Sequence, residues 1–183
     1  MSEECLIRNG APTLAGIKTG SLFRCPCGSR EELVQSLREV NERLMAKGLR
    51  IVPLQIGERS ALVYLYRPSR LRFDLAQPQA KALLEQRGYD TSQCSRCVAQ
   101  LMRRVNSAAD FPHEIGLFLS YPPEDVQGFI DHGARDCKAV GCWKVYGDAE
   151  TARRTFALYK KCTKVYCSQY QKGKNIDRLA VAG

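Results

Sequence analysis

Residues 111–148, FPHEIGLFLSYPPEDVQGFIDHGARDCKAVGCWKVYGD, decide how this chain is read. Residues 115–119 are a short apolar run with the length of an interior strand. Tyr121, Pro122 and Pro123 turn the chain. Pro123 suits the first turn of a helix, where Glu124 and Asp125 complement the positive end. Val126, Phe129 and Ile130 give that helix a buried stripe, and Gly133 ends it. Residues 138–146 alternate as a second strand. Ala139, Trp143 and Val145 share one of its faces; Val140, Cys142, Lys144 and Tyr146 share the other. Asp148 then caps a last helix. The stretch also concentrates polar residues that a bare scaffold does not need: His113, Glu114, Asp125, Lys144 and Tyr146.

Outward from it, residues 29–47 predict a helix. Ser29 and Glu32 make a capping box, Leu33, Leu37, Val40 and Leu44 repeat at helical spacing, and Gly48 follows. Residues 49–56 and 61–66 predict two strands joined as a hairpin, the first at an edge or bulged because Pro53 cannot donate to a ladder. Residues 67–75 read as an irregular basic connection, and 77–86 and 92–105 as helices. Residues 106–110 form the loop into the central stretch. In 149–172 a seam of Ala152, Phe156, Tyr159, Thr163, Tyr166 and Tyr170 steps by four and three along a long helix. Ile176 and Leu179 pack the tail back. Residues 1–28 show no clear periodicity.

The expectation is one α+β domain over residues 1–183: an irregular segment 1–28, the central motif region 111–148, and a small mixed sheet of about four strands packed with helices, a long one at the C-terminal end. Hydrophobic residues at 44% and charged residues at 26% are ordinary globular values. No apolar run is long enough for a membrane span, and the acidic start is unlike a secretory signal, so the expected location is cytoplasmic.

The net charge is +9, spread evenly: residues 1–93 carry 14 basic and 10 acidic side chains, residues 94–183 carry 14 and 9. Such a surface attracts anions in general. No nucleic-acid motif is present, and the tyrosines of the last helix lie on its buried seam, so nucleic acid is not the expected partner. The nine cysteines are an odd number and cannot form a complete disulfide set within one chain.

Three segments together, GAPTLAGIKTGSLF, FPHEIGLFLSYPPEDVQGFI and GCWKVYGD, resemble the bacterial family called domain of unknown function thirty-seven ninety-three. The likeness runs from Ala11 to about Leu179. It implies a source mainly among anaerobic bacteria and carries no established activity. Genes of the family often lie near flavodoxin or iron-uptake genes, which implies an adaptor role toward an acidic partner such as flavodoxin. Cys25, Cys27, Cys94 and Cys97 do not belong to the family pattern.

The chemistry legible in the residues is limited. His113 beside Glu114 can act as an acid/base pair or bind a metal ion, but H-E-x-x-H is incomplete because residue 117 is Leu117. A structural role for both is as well supported. In the first segment, a phosphate-binding loop fails on spacing: Gly10 and Gly16 are one residue too far apart, and Ile17 separates Gly16 from Lys18. Thr13 and Lys18, with Lys144 and Tyr146, can still offer hydroxyls and positive charge to a carboxylate or phosphate. The leading expectation is therefore a small anionic ligand or cofactor of unknown identity in a pocket lined by Thr13, Lys18, His113, Glu114, Lys144 and Tyr146. Whether an enzyme results is left open. The alternative is a thiol-based metal or redox protein using Cys25, Cys27, Cys94 and Cys97; the C-x-C spacing of the first pair is uncommon for zinc, and the second pair has a packing explanation.

Overall fold

The computed structural model describes residues 1–107 and 110–183. The expected loop 106–110 includes two residues, 108 and 109, that lie outside the described ones. The chain divides into two compact units: residues 1–70 with 161–183, and residues 71–160. The expected α+β class, with a small sheet and a long C-terminal helix, is what forms.

In the first unit, α1 (Glu3–Leu14) precedes β1 (Gly20–Pro26), α2 (Arg30–Met45), β2 (Arg50–Ile56) and β3 (Ser60–Tyr66). The sheet is antiparallel throughout, in the order β1-β3-β2. The central strand β3 is buried along its middle, and Ala61, Val63 and Leu65 meet Leu33, Leu37, Val40 and Leu44 of α2 in one core cluster. Burying each of these leucine and valine side chains stabilises by about 1.5–3 kcal/mol before entropy is counted. β2 lies at the edge, and its register shifts between Pro53 and Gln55, as a strand proline demands. Asn41 of α2 covers that edge: its side chain donates to the Ile51 carbonyl at 2.7 Å and accepts from the Ile51 N–H at 2.9 Å.

Two segments expected to be irregular are regular. Residues 3–14 form α1, capped by Ser2, whose hydroxyl accepts from the Cys5 N–H. Gly10, Pro12 and Thr13 are poor helix formers, and they hide a buried stripe of Ile7, Ala11 and Leu14. A Cβ on Gly10 would come within 2.7 Å of the Leu65 side chain, so the glycine lets α1 lie close on β3. The second segment, residues 67–75, falls largely within α3 (Pro68–Ala76).

Arg67 ties the first unit together. It is 2% exposed, and its guanidinium donates to the carbonyls of Thr13 at 2.8 Å, Leu14 at 2.8 Å and Val181 at 2.7 Å. A longer bond reaches the Lys47 carbonyl beyond α2. The cation thus sits where the negative end of the α1 dipole lies. At the surface, Arg43 bridges Glu3 of α1 at 2.6 Å and Asp177 at 2.8 Å. Asp177 belongs to α9 (Ile176–Leu179), which packs back as expected, with Ile176 and Leu179 buried.

The second unit contains α4 (Pro78–Gln86), α5 (Cys94–Ser107), α6 (Ile115–Phe118), α7 (Pro123–His132), β4 (Ala139–Val140), β5 (Lys144–Val145) and the start of α8 (Ala149–Gln171). The unit boundaries fall within α3 and α8. Residues 115–119 are not the expected strand. The Ile115 N–H bonds the Pro112 carbonyl, Gly116 bonds His113, and Leu117 bonds Glu114, which winds the run into a short buried helix. A brief apolar run fits either structure by periodicity, and the turn set by Pro112 decides here. Residues 138–146 are not one strand but a hairpin of two paired positions, Ala139 with Val145 and Val140 with Lys144. Among the described residues, no helix is long and apolar enough to cross a membrane.

Arg67→Met removes the donor shared by the end of α1 and the C-terminal tail: the Val181 carbonyl loses its guanidinium partner, and the Thr13 and Leu14 carbonyls keep only the amides of Gly16 and Val181. Urea unfolding should show a loss of about 3 kcal/mol. Arg67→Lys should recover only part of it, because an ammonium cannot fork between separate acceptors. A loss below about 0.5 kcal/mol for Arg67→Met, the level of an ordinary surface change, contradicts this role.

Candidate functional site

The second unit encloses a cavity of about 360 Å³ bounded by the approach to α6, by α7 and by the β4–β5 hairpin. Its walls are mostly apolar. Phe111, 46% exposed, and Val140, 70% exposed, belong to its lining, while Val126, Phe129 and Trp143 give its apolar body. The polar side chains facing it include His113 and Lys144.

Each wall is placed by a traceable contact. The hairpin is too short to stand by itself, and Asp125 holds it. This carboxylate is 3% exposed, on the first turn of α7. One oxygen accepts the Trp143 indole N–H at 2.7 Å; the other accepts the backbone N–H groups of Tyr146 and Gly147, both at 2.7 Å. Trp143 in turn stacks on Tyr121, with centroids 4.7 Å apart, and meets Phe156 edge-on. Tyr121 closes the same corner by donating its hydroxyl to the Cys142 carbonyl at 3.1 Å. Burial pushes its phenol up to about 12.

His113 and Glu114, adjacent in sequence, serve different surroundings. The tight turn at Pro112 carries the His113 ring to the cavity, where it meets Phe129 edge-on at 4.9 Å. Glu114 turns inward and is 1% exposed. It accepts the Tyr89 hydroxyl at 3.0 Å and lies 3.5 Å from the Arg104 guanidinium, which also covers the Tyr89 ring. Burial and the neighbouring Glu114 carboxylate push the Tyr89 phenol far above its ordinary range. Glu114 is therefore an anchor beneath the turn that presents His113, engaged with Arg104 and Tyr89.

Lys144 of β5 lines the cavity, and its ammonium makes a long contact of 3.4 Å with the Ala134 carbonyl. Tyr146 does not line it. A Cβ on Gly128 would come within 2.4 Å of the Tyr146 ring, so the tyrosine lies against bare α7 backbone, and its hydroxyl donates to Gly133 at 2.6 Å. Alternation predicts one strand face for the two, but the strand ends at Val145, and the Tyr146 N–H is taken by Asp125.

Thr13 and Lys18 belong to the first unit. The Thr13 hydroxyl is fully buried, 2.9 Å from the Ser21 hydroxyl. The amides of Ala15, Gly16, Ile17 and Lys18 all donate to carbonyls of the last turn of α1. Gly16, at φ +75°, terminates a helix, and no phosphate-binding loop exists there. That turn has no spare amide among these four to offer an anion.

All nine cysteines are free thiols. Cys25 and Cys97 are buried, Cys27 and Cys94 half-buried. Burial raises the Cys25 and Cys97 thiols and pushes Cys94 up to about 11. Among the described residues, no group of three or more His, Cys, Asp or Glu side chains is placed to hold a metal ion.

The chain matches the model of the family described as "Protein of unknown function (DUF3793)" over residues 6–180. It belongs to that family. The match reaches into both units, so most of α1, the Pro112 turn and the hairpin lie within the family's span. Among curated proteins and among solved structures, nothing matches the chain. The family carries no activity to transfer, and the site must be read from its own chemistry.

Sequence reading placed Asp125 at the positive end of a helix and missed the three N–H groups it gathers. The signal was available: an acidic residue in a first helical turn, followed by a short segment whose tryptophan needs an acceptor when buried. Asp125→Asn keeps one acceptor but turns an amide toward an N–H. It should cost about 2–3 kcal/mol in unfolding free energy and shift the emission of Trp143, with far-ultraviolet circular dichroism little changed. An unshifted emission spectrum would mean that Asp125 does not hold Trp143.

The raised value of Tyr121 has a definite sign. Folding favours its phenol form, so its contribution is whole below the ordinary tyrosine value of about 10 and is lost as pH rises toward about 12. The stability difference between the parent and Tyr121→Phe should be constant below about pH 9 and shrink from about pH 10 upward. A difference that stays level to about pH 12 would contradict the buried setting.

Proposed function

We propose that this protein binds a small anionic ligand in the cavity of residues 71–160, with His113 and Lys144 as the groups that receive its charge. The observation that carries the reading is their position: two side chains able to donate to an anion line a mostly apolar cavity, whose lining carboxylate, Asp125, is already taken up by three N–H donors. A pocket of this size with few convergent polar groups is the usual form of a small-molecule site. The even surplus of nine positive charges favours the approach of an anion. Thr13, Glu114 and Tyr146 take structural places in this reading, because each has its polar atoms engaged within its own unit. Lys18 has no part in the proposed cavity.

The thiol reading draws less support, since burial favours the protonated form of Cys25, Cys94 and Cys97. Free thiols in this number suit a reducing compartment, which supports the cytoplasmic location in this proposal.

The test uses anilinonaphthalene sulfonate, an aromatic anion, titrated into the folded protein. His113→Ala and Lys144→Met should each weaken its binding by about three- to tenfold, the loss of one charge-assisted contact. His113→Ala should leave thermal stability within about 1 kcal/mol of the parent, since the side chain is exposed. Unchanged affinity in both variants refutes the assignment. A large stability loss in His113→Ala with unchanged affinity in the folded fraction makes His113 structural.

A further inference from the structure

Resting on the anion site proposed above, we infer that its ligand has a flat aromatic body rather than an acyl chain. Rings surround the cavity from separate segments: Phe111 and His113 before α6, Tyr121 before α7, Phe129 on α7 and Trp143 in the hairpin. They are not a loose collection. His113 stands edge-on to Phe129 at an interplanar angle of 78°, while Tyr121 and Trp143 stack at 28°. Two ring pairs of different geometry, one edge-to-face and one stacked, thus line the same cavity. An aromatic guest gains offset-stacked and edge-to-face contacts that an aliphatic chain of equal area cannot make.

The hairpin is held close beneath these rings. A Cβ on Gly141 would come within 2.2 Å of Phe156, so the glycine lets the hairpin backbone lie against that ring, which itself meets Trp143 edge-on. The volume of about 360 Å³ is at the small end of ligand pockets, enough for fused rings with one acidic substituent. Exposed Phe111 and Val140 are apolar surface that such a guest would help cover.

Three probes separate the features of this ligand: naphthoate, decanoate and naphthylmethanol. Titration calorimetry gives the affinities, and the fluorescence of Trp143, the single tryptophan, locates binding at this cavity. Naphthoate should bind about tenfold more tightly than decanoate, and Phe129→Leu should reduce that preference by about threefold. Equal affinity for the two carboxylates overturns the aromatic inference and leaves the anion site standing. Naphthylmethanol binding as tightly as naphthoate, with decanoate still weak, overturns the anion site instead. If none of the three binds at about millimolar concentration, both fall.

Discussion

Three N–H groups converging on the carboxylate of Asp125 make the wall of the cavity possible. A hairpin with two paired positions has little stability of its own. What fixes it is a charge buried to 3% exposure that accepts at 2.7 Å from one side chain and two backbone amides. Burying a carboxylate is costly unless its oxygens are satisfied. Here the cost is offset by taking up donors that would otherwise be buried without partners. The indole of Trp143 is thereby fixed in position, and the rings of Tyr121 and Phe156 pack on it. Loss of Asp125 would release the hairpin and the aromatic corner together.

The first unit uses the same device with the opposite sign. Arg67 is a buried cation whose donors are divided among carbonyls from the end of α1, the residues after α2 and the C-terminal tail. These groups lie where helices end; the Thr13 and Leu14 carbonyls also accept the amides of Gly16 and Val181, and Arg67 supplies a second donor to each. Burial lowers the guanidinium from its ordinary value, yet a guanidinium keeps its charge at any ordinary pH. In both units one buried side chain with several hydrogen-bonding atoms ties together polar groups from separate segments.

What the sequence revealed follows from where its signals are local. Residues 29–47 announced α2 through a cap, a stripe and a terminating glycine, and the structure keeps all three. Pro53 announced its bulge, and the prolines before Glu124 announced α7. Residues 3–14 are not legible as a helix because Gly10 and Pro12, which usually mark loops, sit inside it, where Gly10 lets the backbone lie close on Leu65. Residues 115–119 were misread for a related reason. Their apolarity is real, but the choice between helix and strand was made by hydrogen bonds to residues 112–114. His113 and Lys144 were legible as candidate site residues because they stand out in apolar surroundings. Thr13 was not legible as a core residue, since its partner Ser21 is invisible until β1 is placed against α1.

The pairing of His113 with Glu114 shows why adjacency in sequence misleads about chemistry. Two such neighbours suggest an acid/base couple, and their side chains would have to meet to act as one. Glu114 is instead engaged from the other side by Tyr89 and Arg104, which come from outside the motif region. Arg104 can balance the buried carboxylate and the Tyr89 hydroxyl can donate to it, so nothing requires Glu114 to turn toward the imidazole. The turn is then anchored on its inner side, and its outer side is left to present an exposed ring to the cavity. Two residues that read as a couple are, in this fold, a bracket: Glu114 is fixed in the core by Tyr89 and Arg104, and the His113 ring beside it is exposed and set edge-on to Phe129.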